Sequence, residues 1–282
     1  MLSDDIRQQV RRLEVLARRR VTTTLAGAYQ SKFRGTGLEL DRLRVYQPGD
    51  DVRSIDWKTT ARMNTPFVKI FQEEREQILL VVLDVSDSGQ FGPGTRSKRD
   101  VAFELAALFG HLALVTGDRF GLVTFAGDIE VYHRPAKGRA KLQHALYQAL
   151  EATGNRQQTN LEAALAQVLH TQQQRANVII LSDFYADNYQ GPLKTLARKH
   201  DVHCIQLVHP AEARLPSGLL PAQTLEGEHR QVVFGGLFGG QKKRSTTLPR
   251  PVDVRSLGVE HLRLDVSRPY IDALVRHFAR RR

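Results

Sequence analysis

Five oxygen-bearing residues stand out by type and position. Asp84, Ser86 and Ser88 form an Asp-x-Ser-x-Ser turn directly after the apolar run Ile78-Leu79-Leu80-Val81-Val82-Leu83. Asp183 closes a second apolar run that begins at Asn177, and Thr159 lies just ahead of a helical stripe that starts near Leu161. Carboxylate and hydroxyl oxygens are hard donors. Together they suit Mg²⁺, which takes octahedral oxygen at about 2.0–2.1 Å and keeps several waters; Mn²⁺ and Ca²⁺ are the alternative ions. Each residue also has a plain structural explanation: Ser86 and Ser88 as helix caps, Thr159 as an N-cap, Asp183 as a strand-end turn residue. The Asp-x-Ser-x-Ser turn alone is a weak signal, and the set gains weight only if the other two residues stand beside it.

The elements that must position them read as follows. Continuous apolar runs at 78–83, 177–181 and 202–208 are strands buried on both faces. Arg119–Phe125 is a further strand and Ile129–Tyr132 a short one. Helical spacing appears at Val101, Leu105, Leu108, Leu112 and Val115, then at Leu142, Leu146, Ala149 and Leu150, at Leu161, Leu165, Val168 and Leu169, and in a short segment at 193–199. Alternating strands and helices predict an α/β fold with a doubly wound, mostly parallel sheet covered on both sides. Ligands bind in such sheets at the carboxyl edge of the strands, where Asp84 and Asp183 fall. Leu262–Val266 reads as a final strand. Ser267 is expected to cap a last helix that turns Ile271, Leu274, Val275 and Phe278 inward.

Residues 1–76 have a different texture from residues 77–282. A basic amphipathic helix over 4–20 is followed by a polar, Gly-containing stretch from Ala26 to Gly37, then by short extended pieces and turns, with Pro48-Gly49 the strongest turn signal and Phe67–Phe71 a strand. A Gly, Pro and basic insertion occupies the neighbourhood of 211–258; Gln231–Phe234 reads as half of a hairpin and Gly235–Arg250 as a loop.

Composition narrows the class. The 282 residues are 41% hydrophobic and 25% charged, ordinary for a globular protein. The single Cys204 lies in an apolar strand, so it reads as a small core residue and points to a reducing compartment. No segment approaches the roughly 20 apolar residues that span a bilayer. With no secretory h-region near Met1, the expected location is cytoplasmic, free or peripheral to the membrane. The charge of +11 favours an acidic partner. Much of it is at the ends, in Arg7, Arg11, Arg12, Arg18, Arg19 and Arg20 and in Arg276, Arg280, Arg281 and Arg282. Binding of nucleic acid or an anionic membrane through these ends is an alternative function, one that salt would weaken steeply.

The five oxygen donors resemble the metal-ion-dependent adhesion site of von Willebrand factor A domains, with every position of that pattern present. The resemblance implies direct metal contact by Ser86, Ser88 and Thr159, with Asp84 and Asp183 acting largely through water and an acidic side chain of a partner completing the coordination. A second resemblance is longer. Gly35-Thr36-Gly37-Leu38-Glu39, then Leu43-Arg44-Val45-Tyr46-Gln47-Pro48-Gly49-Asp50-Asp51-Val52-Arg53-Ser54-Ile55-Asp56-Trp57-Lys58 with Ala61-Arg62, and Phe71–Glu76, are similar to the signature of the domain of unknown function 58 family. That resemblance implies a von Willebrand factor A-like domain over 77–282. It also implies an adaptor or co-chaperone role beside a MoxR-type AAA+ ATPase.

Within the signature, Asp50, Asp51 and Asp56 can pair with Arg44, Arg53 and Arg62, and bidentate pairs of this kind fix geometry. The preferred reading is structural, with the segment locked onto the sheet domain and Trp57 as a core anchor; a partner surface is the alternative. Catalysis is not expected. An aspartate-nucleophile phosphatase wants a second Asp where Ser86 stands. The turn also lacks a Gly-x-Ser-x-Gly elbow, no Gly-x-x-x-x-Gly-Lys-Ser/Thr loop is present, and the histidines form no zinc spacing. A Mg²⁺-dependent hydrolase ranks below both binding roles.

Overall fold

The computed structural model describes residues 4–33, 38–73, 76–90, 96–152, 159–210, 219–223, 229–233 and 254–279. In chain order the elements are α1 (Asp4–Arg20), α2 (Thr23–Phe33), β1 (Leu38–Val45), α3 (Trp57–Met63), β2 (Phe67–Glu73), β3 (Ile78–Asp84), α4 (Lys98–Thr116), β4 (Arg119–Phe125), β5 (Ile129–Ala136), α5 (Arg139–Glu151), α6 (Leu161–Thr171), β6 (Asn177–Ser182), α7 (Gln190–Lys199), β7 (Asp201–Val208), β8 (Leu219–Gln223), β9 (His229–Val233), β10 (Glu260–Asp265) and α8 (Ile271–Ala279).

Six strands form the central sheet in the order β10-β7-β6-β3-β4-β5. Every neighbouring pair is parallel except β4 and β5, which run antiparallel and leave β5 as an edge. Strand β3 is buried along its whole length. Its alternate residues serve two cores: Leu79, Val81 and Leu83 pack with α1, α4, α5 and α8, while Ile78, Leu80 and Val82 pack with α6 and α7. That two-sided burial is why the run is continuously apolar rather than alternating. The chain builds outward from β3 in one direction through β4 and β5, then returns to β6 on its other side and continues through β7 to β10. The reversal between β3 and β6 is the topological switch point of the sheet, where a crevice opens at the strands' carboxyl ends.

Helix boundaries have local causes. Ser97 and Asp100 make a reciprocal capping box at the start of α4, and Gly117, at φ +78°, closes it in the left-handed conformation. Asn160 caps α6 by accepting from the Ala163 N–H at 3.0 Å.

Three expectations are corrected. The stretch beginning at Ala26 is not irregular up to Phe33: it belongs to α2, which buries Leu25, Tyr29 and Phe33 at four-residue spacing. Ser267 does not cap the last helix. Its N–H and hydroxyl both bond Asp265 Oδ1, and α8 starts at Ile271, with the Leu274 N–H donating to the Tyr270 carbonyl. Val115 falls on the solvent side of α4, 58% exposed. The hairpin half expected near Gln231 is β9, paired antiparallel with β8. The loop expected at Gly235–Arg250 falls outside the described residues, as do Arg280, Arg281 and Arg282.

Hydrophobic contacts run between the first helices and the sheet layer. Val10, Leu13 and Ala17 of α1 and Leu25, Tyr29 and Phe33 of α2 share one core with α4, α5 and α8. Tyr270 is tied to α1 and α4 together: Arg20 and Tyr270 both donate to Glu104, and Arg20 also stacks over the Tyr270 ring at 4.8 Å. Among the described residues no helix is long and apolar enough to cross a membrane.

Candidate metal centre

Asp84 ends β3, and the chain turns at once into a short 3-10 segment, Asp87–Gln90. Parallel pairing sets Asp84 beside Phe125 of β4, and the Val85 N–H donates to the Phe125 carbonyl at 2.9 Å. On the other side, the β6 partner of Leu83 is Leu181, so Ser182 and Asp183 emerge next to Asp84. Both oxygens of Asp84 are engaged: Oδ1 accepts from the Ser86 N–H at 3.0 Å and Oδ2 from the Ser182 hydroxyl at 2.7 Å. The hydroxyls of Ser86 and Ser88 face each other at 2.9 Å, both buried. Ser86 stands at the head of the 3-10 segment, its carbonyl accepting from the Gly89 N–H at 3.1 Å.

Asp183 is equally enclosed. Its Oδ1 accepts from the Tyr185 N–H at 3.2 Å, and its carbonyl accepts from the Gln206 side chain of β7 at 3.1 Å. Phe184, the next residue, takes a left-handed backbone at φ +61°, uncommon for a bulky side chain. Asp183 Oδ2 accepts from Lys98 Nζ at 2.8 Å, with the two side chains 3% and 2% exposed. Burial and the neighbouring Asp183 carboxylate push the Asp84 carboxyl up to about 6, against the hydrogen bonds from Ser86 and Ser182.

Thr159 reaches the same edge by another route. The Asn160 N–H donates to the Ala126 carbonyl at 2.7 Å, which fastens the segment before α6 to the end of β4. Asn160 takes the capping role, so Thr159 is one residue ahead of the cap and half-buried. Asp84, Ser86, Ser88 and Ser182 thus form one hydrogen-bonded group, the Lys98–Asp183 pair stands beside it at the end of β6, and Thr159 is anchored at the adjoining strand end.

Ser182, Gln206 and Lys98 were not singled out from the sequence. The capping box at Ser97 and Asp100 is legible there and would have set Lys98 on the first turn of α4. Nothing in the sequence pairs it with a carboxylate 85 positions away.

The signature segment forms a separate small structure in which β1 and β2 make an antiparallel ribbon, joined by a turn and α3. Pro48-Gly49 is a turn with Gly49 at φ +107°, and the Tyr46 N–H donates to the Pro66 carbonyl. Of the three expected ion pairs one is formed, Arg44 with Asp50 at 2.8 Å, and Arg44 holds the Asp50 carboxyl below its ordinary range. Asp51 and Asp56 instead accept backbone N–H groups, Asp51 from Arg53 and Asp56 from Lys58 and Thr59, while Arg53 and Arg62 are exposed. Short Asp side chains at turn starts satisfy the free backbone donors better than they reach distant guanidinium groups. Trp57, expected as a core anchor, is 67% exposed because it opens a seven-residue helix with no buried side chain.

Residues 42–232 match the family described as "Protein of unknown function DUF58". The chain belongs to that family. This DUF58 chain is 29% identical to an uncharacterized protein of Mycobacterium tuberculosis (strain ATCC 25618 / H37Rv), across 97% of its own length and 89% of the relative's, and to the same extent to one of Mycobacterium bovis. Solved structures that the DUF58 chain resembles include the conserved hypothetical protein BatB of Bacteroides thetaiotaomicron (14% identity, TM-score 0.46, 72% of this chain and 97% of that one) and an aerotolerance-related membrane protein of Bacteroides fragilis (15%, 0.42, 72% and 98%).

Proposed function

We propose that this DUF58 chain is a metal-dependent protein-binding adaptor or co-chaperone. Its sheet would be a von Willebrand factor A-like domain, and its adhesion site the cluster of Asp84, Ser86, Ser88, Thr159 and Asp183 at the switch point. One observation carries the reading: the Ser86 and Ser88 oxygens lie 2.9 Å apart. That spacing is an ordinary hydroxyl–hydroxyl hydrogen bond, and it also equals the edge of an octahedron of ligands bonded at about 2.0–2.1 Å, about 2.9 Å, so an ion could take both oxygens with little movement. The donor set is all oxygen, as Mg²⁺ prefers, with Mn²⁺ or Ca²⁺ as substitutes.

Ser86, Ser88 and Thr159 would hold the ion directly, and Asp84 and Asp183 would orient its waters. When bound, the ion supplies a positive point of attachment for an acidic side chain of a partner protein. The partner proposed is a MoxR-type AAA+ ATPase or its client, with no catalysis assigned to this chain. A cytoplasmic position goes with this reading, and the buried Cys204, whose thiol burial pushes well up, is chemically quiet within it.

The test is association with a purified MoxR-type ATPase from the same genome, with Mg²⁺ or EDTA, using Asp84→Ala and Ser86→Ala. Association should require Mg²⁺ and should fall at least tenfold in either variant. Equal association of all three proteins in EDTA would sink the adaptor reading. Loss in 0.5 M salt with no effect of EDTA would support the electrostatic alternative instead.

A further inference from the structure

We infer that Lys98 makes metal occupancy depend on the acidic ligand, so that ion and partner bind together rather than in turn. The inference rests on the metal-site reading above and adds a residue to it.

The geometry is specific. Lys98 is the first residue of α4, held there by the Ser97–Asp100 capping box. Gly89, which follows the Ser86–Ser88 turn, lies against Arg99, where an added Cβ would meet the Arg99 Cβ at 3.4 Å. The metal turn and the first turn of α4 are therefore in contact. Lys98 Nζ bonds Asp183 Oδ2 at 2.8 Å in a crevice that Asp84, Ser88 and Ser182 also line. An ammonium is compact and has three donors, so it can neutralise a carboxylate where water is excluded.

Charge then decides the order of binding. Asp84 and Asp183 carry two buried negative charges, half-buried Asp87 and Arg99 at the rim offset each other, and a divalent cation alone would balance the buried pair. Lys98 has already balanced one. A dication added to the cluster as it stands leaves an excess positive charge in a buried place, which is costly. One further carboxylate restores neutrality: two positive charges from the ion and one from Lys98, against Asp84, Asp183 and the incoming ligand. Each ligand thereby raises the affinity of the other by the same factor. Without Lys98 the ion and the two aspartates are neutral by themselves, and the dependence should vanish.

Mn²⁺ serves as the probe ion, read by electron paramagnetic resonance on the full chain. Titrations are run in chloride and in acetate at equal ionic strength, acetate standing in for the partner's carboxylate. In the unsubstituted protein, acetate should tighten Mn²⁺ binding at least fivefold. Lys98→Met should bind Mn²⁺ at least tenfold tighter in chloride, with less than a twofold response to acetate. Because Lys98→Met takes the cation from Asp183 Oδ2, Lys98→Gln, which keeps a donor without the charge, is measured beside it. Mn²⁺ should raise the melting temperature of both variants more than that of the parent.

Equal Mn²⁺ affinity and equal acetate response in the parent and both variants would overturn the role of Lys98 while leaving the metal site standing. Failure of all three folded proteins to bind Mn²⁺ in either salt would overturn the metal site as well.

Discussion

Asp84 has two hydrogen-bond donors and one unfavourable neighbour. Its pKa of about 6, raised from 3.8, means that the folded protein holds this proton more tightly than the unfolded chain does. The sign follows: the contribution is fully present below pH ~4 and is lost as pH rises through about 6, a change of at most about 3 kcal/mol. Glu14, Asp50, Asp56 and Asp265 are shifted downward and act in the opposite sense, losing their contribution in acid. A difference measurement separates them. In EDTA, the melting temperature of the unsubstituted protein minus that of Asp84→Asn should fall by several degrees between pH 4.5 and 7, and saturating Mg²⁺ should reduce that fall. A difference that stays flat with pH would show that Asp84 is ionised at little cost.

At the scale of elements, the α4–α5 contact has the least slack. A Cβ on Gly110 would stand 2.2 Å from Leu142 Cδ1 and within 3.3 Å of two more Leu142 atoms. Alanine gains helix propensity of up to about 1 kcal/mol over glycine, but forcing Leu142 aside in a filled core costs typically 1–3 kcal/mol. Gly110→Ala should therefore destabilise modestly in chemical denaturation, with an unchanged m-value. A stabilised variant would mean that Leu142 turns away freely. The same scale shows where reading by type misled. A tryptophan is usually a large apolar anchor, yet α3 is too short to bury Trp57, and the acidic residues around it cap turns rather than brace a domain contact.

For the whole molecule, the shared core of α1, α2, α4, α5 and α8 has a thermodynamic consequence. Elements buried in one core melt together. Leu13→Ala removes a buried side chain of α1 from that core and should cost about 2–4 kcal/mol. Far-ultraviolet circular dichroism and tyrosine absorbance should still report one coincident transition, shifted downward. Two separated transitions in the variant would show that α1 is an independent appendage. The basic face of α1 is outward, with Arg7, Arg11, Arg12, Arg18 and Arg19 exposed, while Arg20 turns inward to Glu104.

Much of the sheet was legible because each apolar strand is buried on both faces and each covering helix has a buried stripe; those periodicities are local properties of the chain. The Asp-x-Ser-x-Ser turn was legible for the same reason, since its donors lie within five residues. Helix α2 escaped because its buried side chains are spaced by four among small and polar residues, a weak stripe that only the groove against α8 makes meaningful. The exposure of Trp57 and the Lys98–Asp183 pair escaped because both depend on which surfaces meet. An 85-residue separation leaves no periodic trace. Residue types and spacing determined which oxygens could serve a cation and which edge of a sheet would carry them. Tertiary packing alone decided that a buried ammonium would share that edge, because electrostatic pairing at 2.8 Å is set by distance in space, not by distance along the chain.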